Sequence, residues 1–339
     1  MKLLIIQPDC RSYRVPFFNA LQEKIGPFTL AHQDEFKFQN NSNITEVNFE
    51  TYEYFGFKYV KNLKRLIKEY DSIVVGYDIH WLNLITLPIV SSKKIIVWGH
   101  GPGKQALLHP LKKIIANKSK SVITYSLAGK EAVENIGVDK DKIYIATNTL
   151  HVNNAENTSV YKKKSFVFLG RLQERKKLSL FFEAYKKAKL NDKNIEITII
   201  GDGEVEKKAL IEKAKQLDII NKVQFIEGTS NNEVLIKYFK SAYAYVSPGA
   251  VGLGLLHSFA FGVPVITMAD SLHGPEIMHL KNGETGYLIN SQAEFSYYLE
   301  KVITNHKFLG NNAYLHYKEN ASIQAMVNGF VNAIQHSQV

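Results

Sequence analysis

The chain has 339 residues, of which 45% are hydrophobic and 22% charged, a composition typical of a soluble enzyme with room for two domains. Its single cysteine, Cys10, excludes an internal disulfide framework and indicates a reducing compartment. The net charge of +10 is concentrated in residues 57–130, which contain 13 Lys and Arg against three acidic residues.

The first apolar run, Leu3–Ile6, is too short for a signal-peptide core, so we interpret it as a strand and predict a cytoplasmic protein. No run approaches the roughly 18 apolar residues that a membrane-spanning helix needs. Strand-like runs then alternate with helical patterns, which favours an α/β fold with parallel sheets flanked by helices. The other predicted strands are Ser72–Val75, Ile95–Trp98, Val122–Tyr125, Ile143–Ala146, Phe166–Leu169, Ile195–Ile200, Val223–Ile226, Ala244–Val246 and Val265–Thr267.

Four polar residues of the amino-terminal half follow predicted strands, where ligands bind in open α/β sheets. We predict that His100 contacts a donor sugar or an attacking hydroxyl, and that Asp9, Arg14 and Asp78 contact an acceptor. The alternative for His100 is a histidine that caps the next helix.

Two segments of the basic region place apolar residues at helical spacing among lysines. Val60–Tyr70 and His109–Lys120 each predict an amphipathic helix with a cationic flank. Such a flank suits an anionic surface or substrate, and an ordinary solvated helix face is the alternative interpretation.

The polar stretch His151–Lys164 lacks periodicity and predicts an interdomain linker. The predicted organisation is a first domain over residues 1–158, a second over residues 159–315, and a closing helix over residues 316–339 that packs back across the domains. Within the closing helix, Met326, Phe330 and Ile334 recur one turn apart and indicate a buried stripe.

Arg171 follows the predicted strand Phe166–Leu169 and Gly170, and Lys176 lies five residues later, near the start of a helix. An arginine fork and a lysine point charge can together neutralise two phosphates, and a helix N-terminus adds partial positive charge. The alternative is a pair of solvent-facing cations.

Two glycine-rich turns follow in the same half. Gly201 and Gly203 follow the predicted strand Ile195–Ile200, and glycine there permits close approach of the backbone to a ligand. The alternative interpretation is an ordinary turn between a strand and a helix. The loop of residues 247–254 contains three glycines, and its backbone N–H groups can cradle a phosphate or a sugar hydroxyl. His257 then falls on the first turns of a helix and can donate to a hydroxyl, or is a helix histidine without a ligand.

Taken together, these segments resemble the carboxy-terminal domain of family-4 glycosyltransferases (glycosyl transferases group 1). The resemblance covers about 125 residues, and the amino-terminal half matches more loosely. The matching segments are Gly170-Arg171-Leu172 with Lys176, Glu183-Ala184, Ile199–Gly203, Val223–Phe225, Tyr245–Pro248, Gly252-Leu253, Ala260–Ile266 and Gly283–Ile289, with Tyr13–Leu21, Trp98–Gly101 and Asn148-Thr149 in the first half. The resemblance implies the GT-B fold, in which two Rossmann-like domains with parallel sheets face each other across a cleft.

The resemblance also implies an activity. A sugar moves from a nucleotide diphosphate-sugar to a hydroxyl of a polysaccharide or lipid-linked oligosaccharide, with retention of the anomeric configuration. Arg171 and Lys176 hold the donor diphosphate in place of a metal, so this hexosyltransferase-type enzyme needs no metal and no other cofactor. The remaining implied donor-binding residues are Gly170, Gly201, Gly203, Phe225, Ile226, Gly249, Ala250, Val251, Gly252, Leu253 and His257.

The chain departs from the family at two glutamates that members usually carry eight positions apart, one facing the donor sugar and one the ribose hydroxyls. Gly249 and His257 occupy those positions, which indicates a variant subgroup because the surrounding glycines and apolar residues persist. His257 can still bond a ribose hydroxyl. The sugar contact expected at position 249 has to come from the backbone or from elsewhere.

Two other functions compete with this interpretation. A nucleotide-sugar epimerase or hydrolase on the same fold needs carboxylates at the donor site, and the loss of both glutamates counts against it. A basic module for nucleic acid or membrane would use the lysines, but no nucleic-acid motif accompanies them, so no nucleic-acid partner is expected. Enzymes that extend lipid-linked sugars work at an anionic surface, so the basic region predicts peripheral association with the inner face of the membrane.

Overall fold

The computed structural model describes residues 2–10, 12–33, 43–103, 105–152 and 154–338. The chain forms two compact units, one of Met1–His151 with Ser322–Val339 and one of Val152–Ala321. The predicted boundaries lie at 158 and 315. Residues 152–158 belong to the second unit because the Glu156 and Thr158 amides donate to the carbonyls of Ala260 and Phe261, at 3.1 and 3.0 Å.

The described residues contain fifteen strands and twelve α-helices. In chain order the strands are β1 (Leu3–Ile6), β2 (Phe28–His32), β3 (Ile44–Asn48), β4 (Thr51–Tyr54), β5 (Phe57–Val60), β6 (Ser72–Gly76), β7 (Lys94–Gly99), β8 (Ser121–Thr124), β9 (Ile143–Ile145), β10 (Ser165–Leu169), β11 (Glu196–Ile200), β12 (Val223–Ile226), β13 (Ala242–Val246), β14 (Val265–Met268) and β15 (Gly286–Ile289). The helices are α1 (Val15–Ile25), α2 (Leu63–Ile67), α3 (Leu82–Ile85), α4 (Leu87–Val90), α5 (His109–Lys118), α6 (Leu127–Asn135), α7 (Leu178–Lys187), α8 (Glu204–Gln216), α9 (Asn232–Lys240), α10 (Gly254–Ala260), α11 (Phe295–His316) and α12 (Ile323–His336).

In the described part of the first unit, seven parallel strands form a sheet in the order β3-β2-β1-β6-β7-β8-β9. Alternate residues of each strand enter different cores, because side chains alternate between the two faces. Leu3 and Ile5 pack in one core, and Leu4 and Ile6 in the other. Strands β4 and β5 form a separate antiparallel hairpin.

The second unit contains a sheet of six parallel strands among its described residues, in the order β12-β11-β10-β13-β14-β15. Numbered within the unit, this order is 3-2-1-4-5-6, that of a Rossmann fold, and the predicted α/β architecture of two Rossmann-like units is confirmed. The strand order reverses direction at β10, so the turns after β10 and β13 are where a ligand is expected.

The closing helix α12 packs in the first unit. Met326, Phe330 and Ile334 are buried in the core that contains β1, as their spacing predicted. The Phe330 ring lies 4.7 Å from the Trp98 ring and 5.0 Å from the Phe17 ring, measured between centroids.

The basic segment Val60–Tyr70 is not the continuous helix that its spacing predicted. Only Leu63–Ile67 is helical, because Phe57–Val60 pairs with β4 and Asn62 takes a left-handed φ of 53° just before the helix. The second predicted basic helix, His109–Lys120, is present as α5.

Candidate active site

The turns after β10, β11 and β12 meet at the carboxyl ends of their strands. The Gly170 amide donates to the Ile200 carbonyl at 3.0 Å, and the Leu172 amide donates to the Asp202 carbonyl at 2.7 Å. A Cβ on Gly201 would lie 1.8 Å from the Gly170 carbonyl oxygen, so glycine is needed there for the turns to pack. Gly203 is similarly confined by Leu172, and donor contacts by either glycine stay a prediction.

Lys176 is a buried cation at this edge of the sheet. It ends a 3-10 helix, Glu174–Lys176, and its Nζ donates to the Ala250 carbonyl. Burial, together with the neighbouring Arg175 charge, lowers the pKa of Lys176 to about 8. Arg171, by contrast, is exposed, and within the described ranges no carboxylate forms an ion pair with it.

The backbone of the loop at residues 249–251 packs directly on the segment that carries Lys176. The Gly249 amide donates to the Lys176 carbonyl at 2.9 Å, and the Ala250 amide donates to the Arg175 carbonyl at 3.1 Å. A Cβ on Gly249 would lie 1.9 Å from the Arg175 carbonyl oxygen. The close approach therefore leaves no room for a side chain at position 249 in this conformation of the loop.

The other side of this loop is held by the segment after β14. The Val251 amide donates to Nδ1 of His273 at 3.2 Å, and Nε2 of His273 lies 2.7 Å from the Met268 carbonyl oxygen. The Gly274 amide donates to the Val251 carbonyl at 2.9 Å. These bonds require a neutral His273 ring, consistent with the lowering of its pKa by burial. The loop is thus fixed from both sides.

His257 lies on α10, close to the end of the loop. Its Nδ1 atom is buried and has no hydrogen-bond partner in the described part of the chain, although the residue as a whole is partly exposed. Burial lowers the pKa of His257 to about 4, so the ring is neutral at pH 7. A neutral imidazole can donate one hydrogen bond and accept another, and the contact of His257 with a ribose hydroxyl stays a prediction.

The other predicted donor-binding residues differ in exposure. Ala250 and Val251 are buried, whereas Gly252 and Leu253 are partly exposed, and no heavy atom lies within 4 Å of where a Gly252 Cβ would be. Phe225 and Ile226 lie half-buried on the edge strand β12.

In the first unit, Arg14 lies in an aromatic cluster at the carboxyl ends of the strands. Its guanidinium donates to the Tyr125 hydroxyl at 3.2 Å and to Oδ1 of Asn148 at 3.3 Å, and lies 4.9 Å from the Trp98 ring centroid. The exposed His100 ring lies 4.6 Å from the Tyr125 ring. The structure therefore brings Arg14 and His100 to one cluster.

The two predicted acidic residues of this unit have other partners. Asp9 accepts a hydrogen bond from Nε2 of Gln33 at 3.1 Å, and Oδ1 of Asp78 lies 2.8 Å from Nδ1 of His80. Both carboxylates are exposed, and their predicted acceptor contacts are not tested by these bonds.

Tyr125, His273 and Glu276 also belong to these clusters, although the motif pattern did not select them. Each follows the carboxyl end of a parallel strand, and that position was the signal that could have found them. Glu276 is buried, and its negative charge favours the protonated form of Lys176.

No group of three or more His, Cys, Asp or Glu side chains suited to a metal ion occurs in the described part of the chain. Asp139 caps the 3-10 helix Lys140–Lys142 by accepting a hydrogen bond from the Asp141 amide at 3.0 Å. Among the described helices, none is both long and apolar enough to cross a membrane.

The family model described as glycosyl transferases group 1 matches residues 152–322. A curated relative from Thermosipho melanesiensis, named "Probable sucrose-phosphate synthase", is 26% identical over 216 residues, which are 59% of this chain and 49% of that protein. The chain therefore spans about half the length of the curated relative that it matches.

Solved structures of the same fold cover nearly the whole chain. HepE from Anabaena in complex with UDP has a TM-score of 0.74 at 13% identity, over 99% of this chain and 100% of its own. A glycosyltransferase from Rickettsia africae has a TM-score of 0.76 at 14% identity, over 99% and 98% of the two chains. The lipopolysaccharide outer core galactosyltransferase WaaB has a TM-score of 0.71 at 17% identity over 100% of both. These likenesses confirm the predicted GT-B fold.

Proposed function

The chain belongs to the glycosyl transferases group 1 family, and on that premise we propose that it is a retaining, metal-independent glycosyltransferase. The donor is a nucleotide diphosphate-hexose, and the acceptor is a hydroxyl of a polysaccharide or lipid-linked oligosaccharide. The observation that carries the proposal is the buried cation Lys176, fixed by the Ala250 carbonyl at the ligand-binding edge of the second sheet.

In the proposed reaction, the bond between the anomeric carbon and the β-phosphate oxygen breaks. The acceptor oxygen bonds to the same face of that carbon, and its proton passes to the leaving β-phosphate oxygen. The protein positions the reactants and stabilises the charge that develops on the diphosphate. Lys176 supplies a fixed charge for this, and the exposed Arg171 supplies a bidentate fork. In the first unit, Arg14 is a proposed acceptor contact, and His100 is a proposed contact of the donor sugar or of the attacking hydroxyl.

The test is a thermal-shift screen with nucleotide sugars and their nucleoside diphosphates, followed by product analysis. The neighbour HepE is described with UDP and with UDP-glucose, so UDP-sugars are the first probes and GDP-sugars the second. We expect one pair to raise the unfolding temperature, and a glycosylated product to form only when an acceptor is present. Epimerised or hydrolysed sugar without acceptor would support the other activities of this fold, and no shift with any probe would contradict the proposal.

Replacing His257 with alanine is expected to weaken a nucleoside diphosphate by about tenfold while changing the binding of its 2′- and 3′-deoxy analogues little. The reason is that the neutral, partly exposed His257 ring can bond a ribose hydroxyl, which the analogues lack. Because the pKa of His257 is about 4, the difference should be the same at pH 6 and pH 8. Isothermal titration calorimetry measures it, and an equal loss for all analogues would show a packing role.

A second part of the proposal concerns a membrane surface. Leu107, Leu111 and Ile114 are exposed and lie four and three positions apart, so they share one face of α5 and the turn before it. Lys113 and Lys118 of α5 are exposed as well. We call these five residues the α5 surface. Lys112 is not part of it, because its side chain is buried over the Tyr77 ring at 5.1 Å.

Exposed apolar residues with flanking lysines support peripheral binding to an anionic leaflet, where each basic residue contributes about 1 kcal/mol. We expect the protein to co-sediment with phosphatidylserine vesicles at low salt and to be released at high salt. The double variants Leu111→Ser with Ile114→Ser, and Lys113→Glu with Lys118→Glu, should each reduce binding. Val205→Ser, an exposed apolar residue of the second unit, is the matched control. Absence of binding at low salt would indicate a soluble acceptor.

A further inference from the structure

A buried carboxylate lies near the loop and the cation of the proposed donor site. Glu276 is 5% exposed and stands in the first turn of the 3-10 helix Pro275–His279, after β14. It is close enough to Lys176 for its charge to favour the protonated lysine.

The position of the Glu276 carboxylate is given by Gly274. A Cβ on Gly274 would lie 2.4 Å from Oε2 of Glu276 and 3.3 Å from the Val251 carbonyl oxygen. The Glu276 carboxylate and the Val251 carbonyl therefore both lie next to the Gly274 Cβ position. Val251 is one of the predicted donor-binding residues, and Glu276 lies against its loop from the β14 side.

The charge of Glu276 does not fit a role in binding the diphosphate. A negative charge next to Lys176 repels a second anion and so opposes diphosphate binding. An ionised carboxylate accepts hydrogen bonds, and a sugar hydroxyl donates them. The ligand group that suits Glu276 is therefore a hydroxyl and not a phosphate.

The steric exclusion at position 249 completes the argument. A glutamate at position 249, which family members usually carry, would place its Cβ 1.9 Å from the Arg175 carbonyl oxygen. We propose that Glu276 accepts hydrogen bonds from the hydroxyls of the donor sugar and thereby supplies, from the segment after β14, the carboxylate that position 249 cannot carry. This inference rests on the proposed glycosyltransferase function.

The experiment compares the affinity of a nucleotide sugar with that of its nucleoside diphosphate by calorimetry. The probes are UDP-glucose, UDP-galactose and UDP-N-acetylglucosamine against UDP, and GDP-mannose against GDP. For Glu276→Gln we expect the nucleotide sugar to bind about tenfold more weakly, and the nucleoside diphosphate to bind as well as before or better. Glu284→Gln, which changes an exposed carboxylate of the same unit, is the matched control and should change neither affinity.

A second variant displaces the carboxylate without removing its charge. Gly274 has φ −69°, which alanine adopts readily, and the atom nearest to the added Cβ is the flexible end of Glu276. Gly274→Ala should therefore fold and should show the same selective loss of nucleotide-sugar affinity. If Glu276→Gln lowers the unfolding temperature, Gly274→Ala tests the contact between Glu276 and the donor sugar in its place.

The outcomes distinguish a failure of the proposed glycosyltransferase function from a failure of the inference about Glu276. If the wild-type protein binds none of the probes, the proposed function fails. If the wild type binds a pair and both variants bind that pair as the wild type does, the inference about Glu276 is overturned and the proposed function stands. An equal loss of nucleotide sugar and nucleoside diphosphate also overturns it, since Glu276 would then only balance the charge of Lys176.

Discussion

Replacing Lys176 with methionine is expected to lower the affinity for a nucleoside diphosphate by about 10- to 150-fold, the loss of a charge-assisted contact of roughly 1.5–3 kcal/mol. Lys176 is buried and its Nζ is held by the Ala250 carbonyl, so its charge acts at a fixed place with little screening by water. Methionine keeps the apolar stem and removes the charge together with the hydrogen bond to the Ala250 carbonyl. Arg171→Ala should act in the same direction but less strongly, because Arg171 is exposed.

The control for this prediction is the nucleoside without phosphates, measured by calorimetry on the same variants. Its affinity should change little, since neither cation is assigned to the base or the ribose. Lys208→Ala removes an exposed lysine of the same unit and should leave both affinities unchanged. An equal loss for nucleoside and nucleoside diphosphate would contradict the assignment of Lys176 to the diphosphate.

The lowered pKa of Lys176 adds a pH dependence to the same prediction. With a pKa of about 8, the ligand-free protein holds the positive charge fully at pH 6 and loses it as the pH rises through 8. The diphosphate is already ionised over this range, because phosphate groups lose their last proton near pH 6. Nucleoside diphosphate affinity should therefore fall as the pH is raised from 7 to 9. The Lys176→Met variant should lack this fall, and a fall that persists in it would have to come from another group.

Much of the fold could be predicted because strands buried on both faces are short continuous apolar runs. Strands β1 and β12 begin and end where those runs do. Strand β2 was missed because Thr29 and His32 interrupt its apolar pattern, although both are buried in the structure. The hairpin of β4 and β5 was missed because Thr51–Tyr54 is exposed along its whole length and offers no apolar signal.

The residues of the candidate site that directly follow a strand could be predicted from the sequence. Those whose role comes from contacts between distant segments could not. Arg171 and Lys176 follow a strand, and their position in the chain was enough to select them. The exclusion of a side chain at Gly249 depends on a carbonyl seventy-four residues earlier in the chain, which no local pattern reveals. The same is true of Glu276, whose importance comes from its proximity to Lys176.

Glu276 also bears on the two competing enzyme functions, epimerisation and hydrolysis. The absence of both family glutamates counted against an epimerase or a hydrolase, since each needs a carboxylate at the donor. The structure contains a buried carboxylate close enough to Lys176 for its charge to favour the protonated lysine. Product analysis with and without acceptor therefore separates transfer from epimerisation and hydrolysis.

Restoring the family glutamate by Gly249→Glu is expected to abolish nucleoside diphosphate binding and to destabilise the protein, and Gly249→Ala to do the same to a smaller extent. A Cβ at this position would lie 1.9 Å from the Arg175 carbonyl oxygen and 2.7 Å from the Lys176 carbonyl carbon. Both are backbone atoms, so relief requires the 3-10 helix that carries Lys176 to move away from the loop. Overpacking of this kind typically costs about 1–3 kcal/mol, and here it also displaces the fixed cation.

Urea denaturation and calorimetry with the nucleoside diphosphate measure the two effects separately. Gly252→Ala is the matched control for stability, because it lies in the same loop and no heavy atom is within 4 Å of its added Cβ. We expect its midpoint of unfolding to stay close to that of the wild type, while Gly249→Ala unfolds at lower urea concentration. If Gly249→Glu folded as well as the wild type and bound the nucleotide sugar more tightly, position 249 would be open to a glutamate after all. In that case, the backbone contact with Arg175 would not be the reason for its loss.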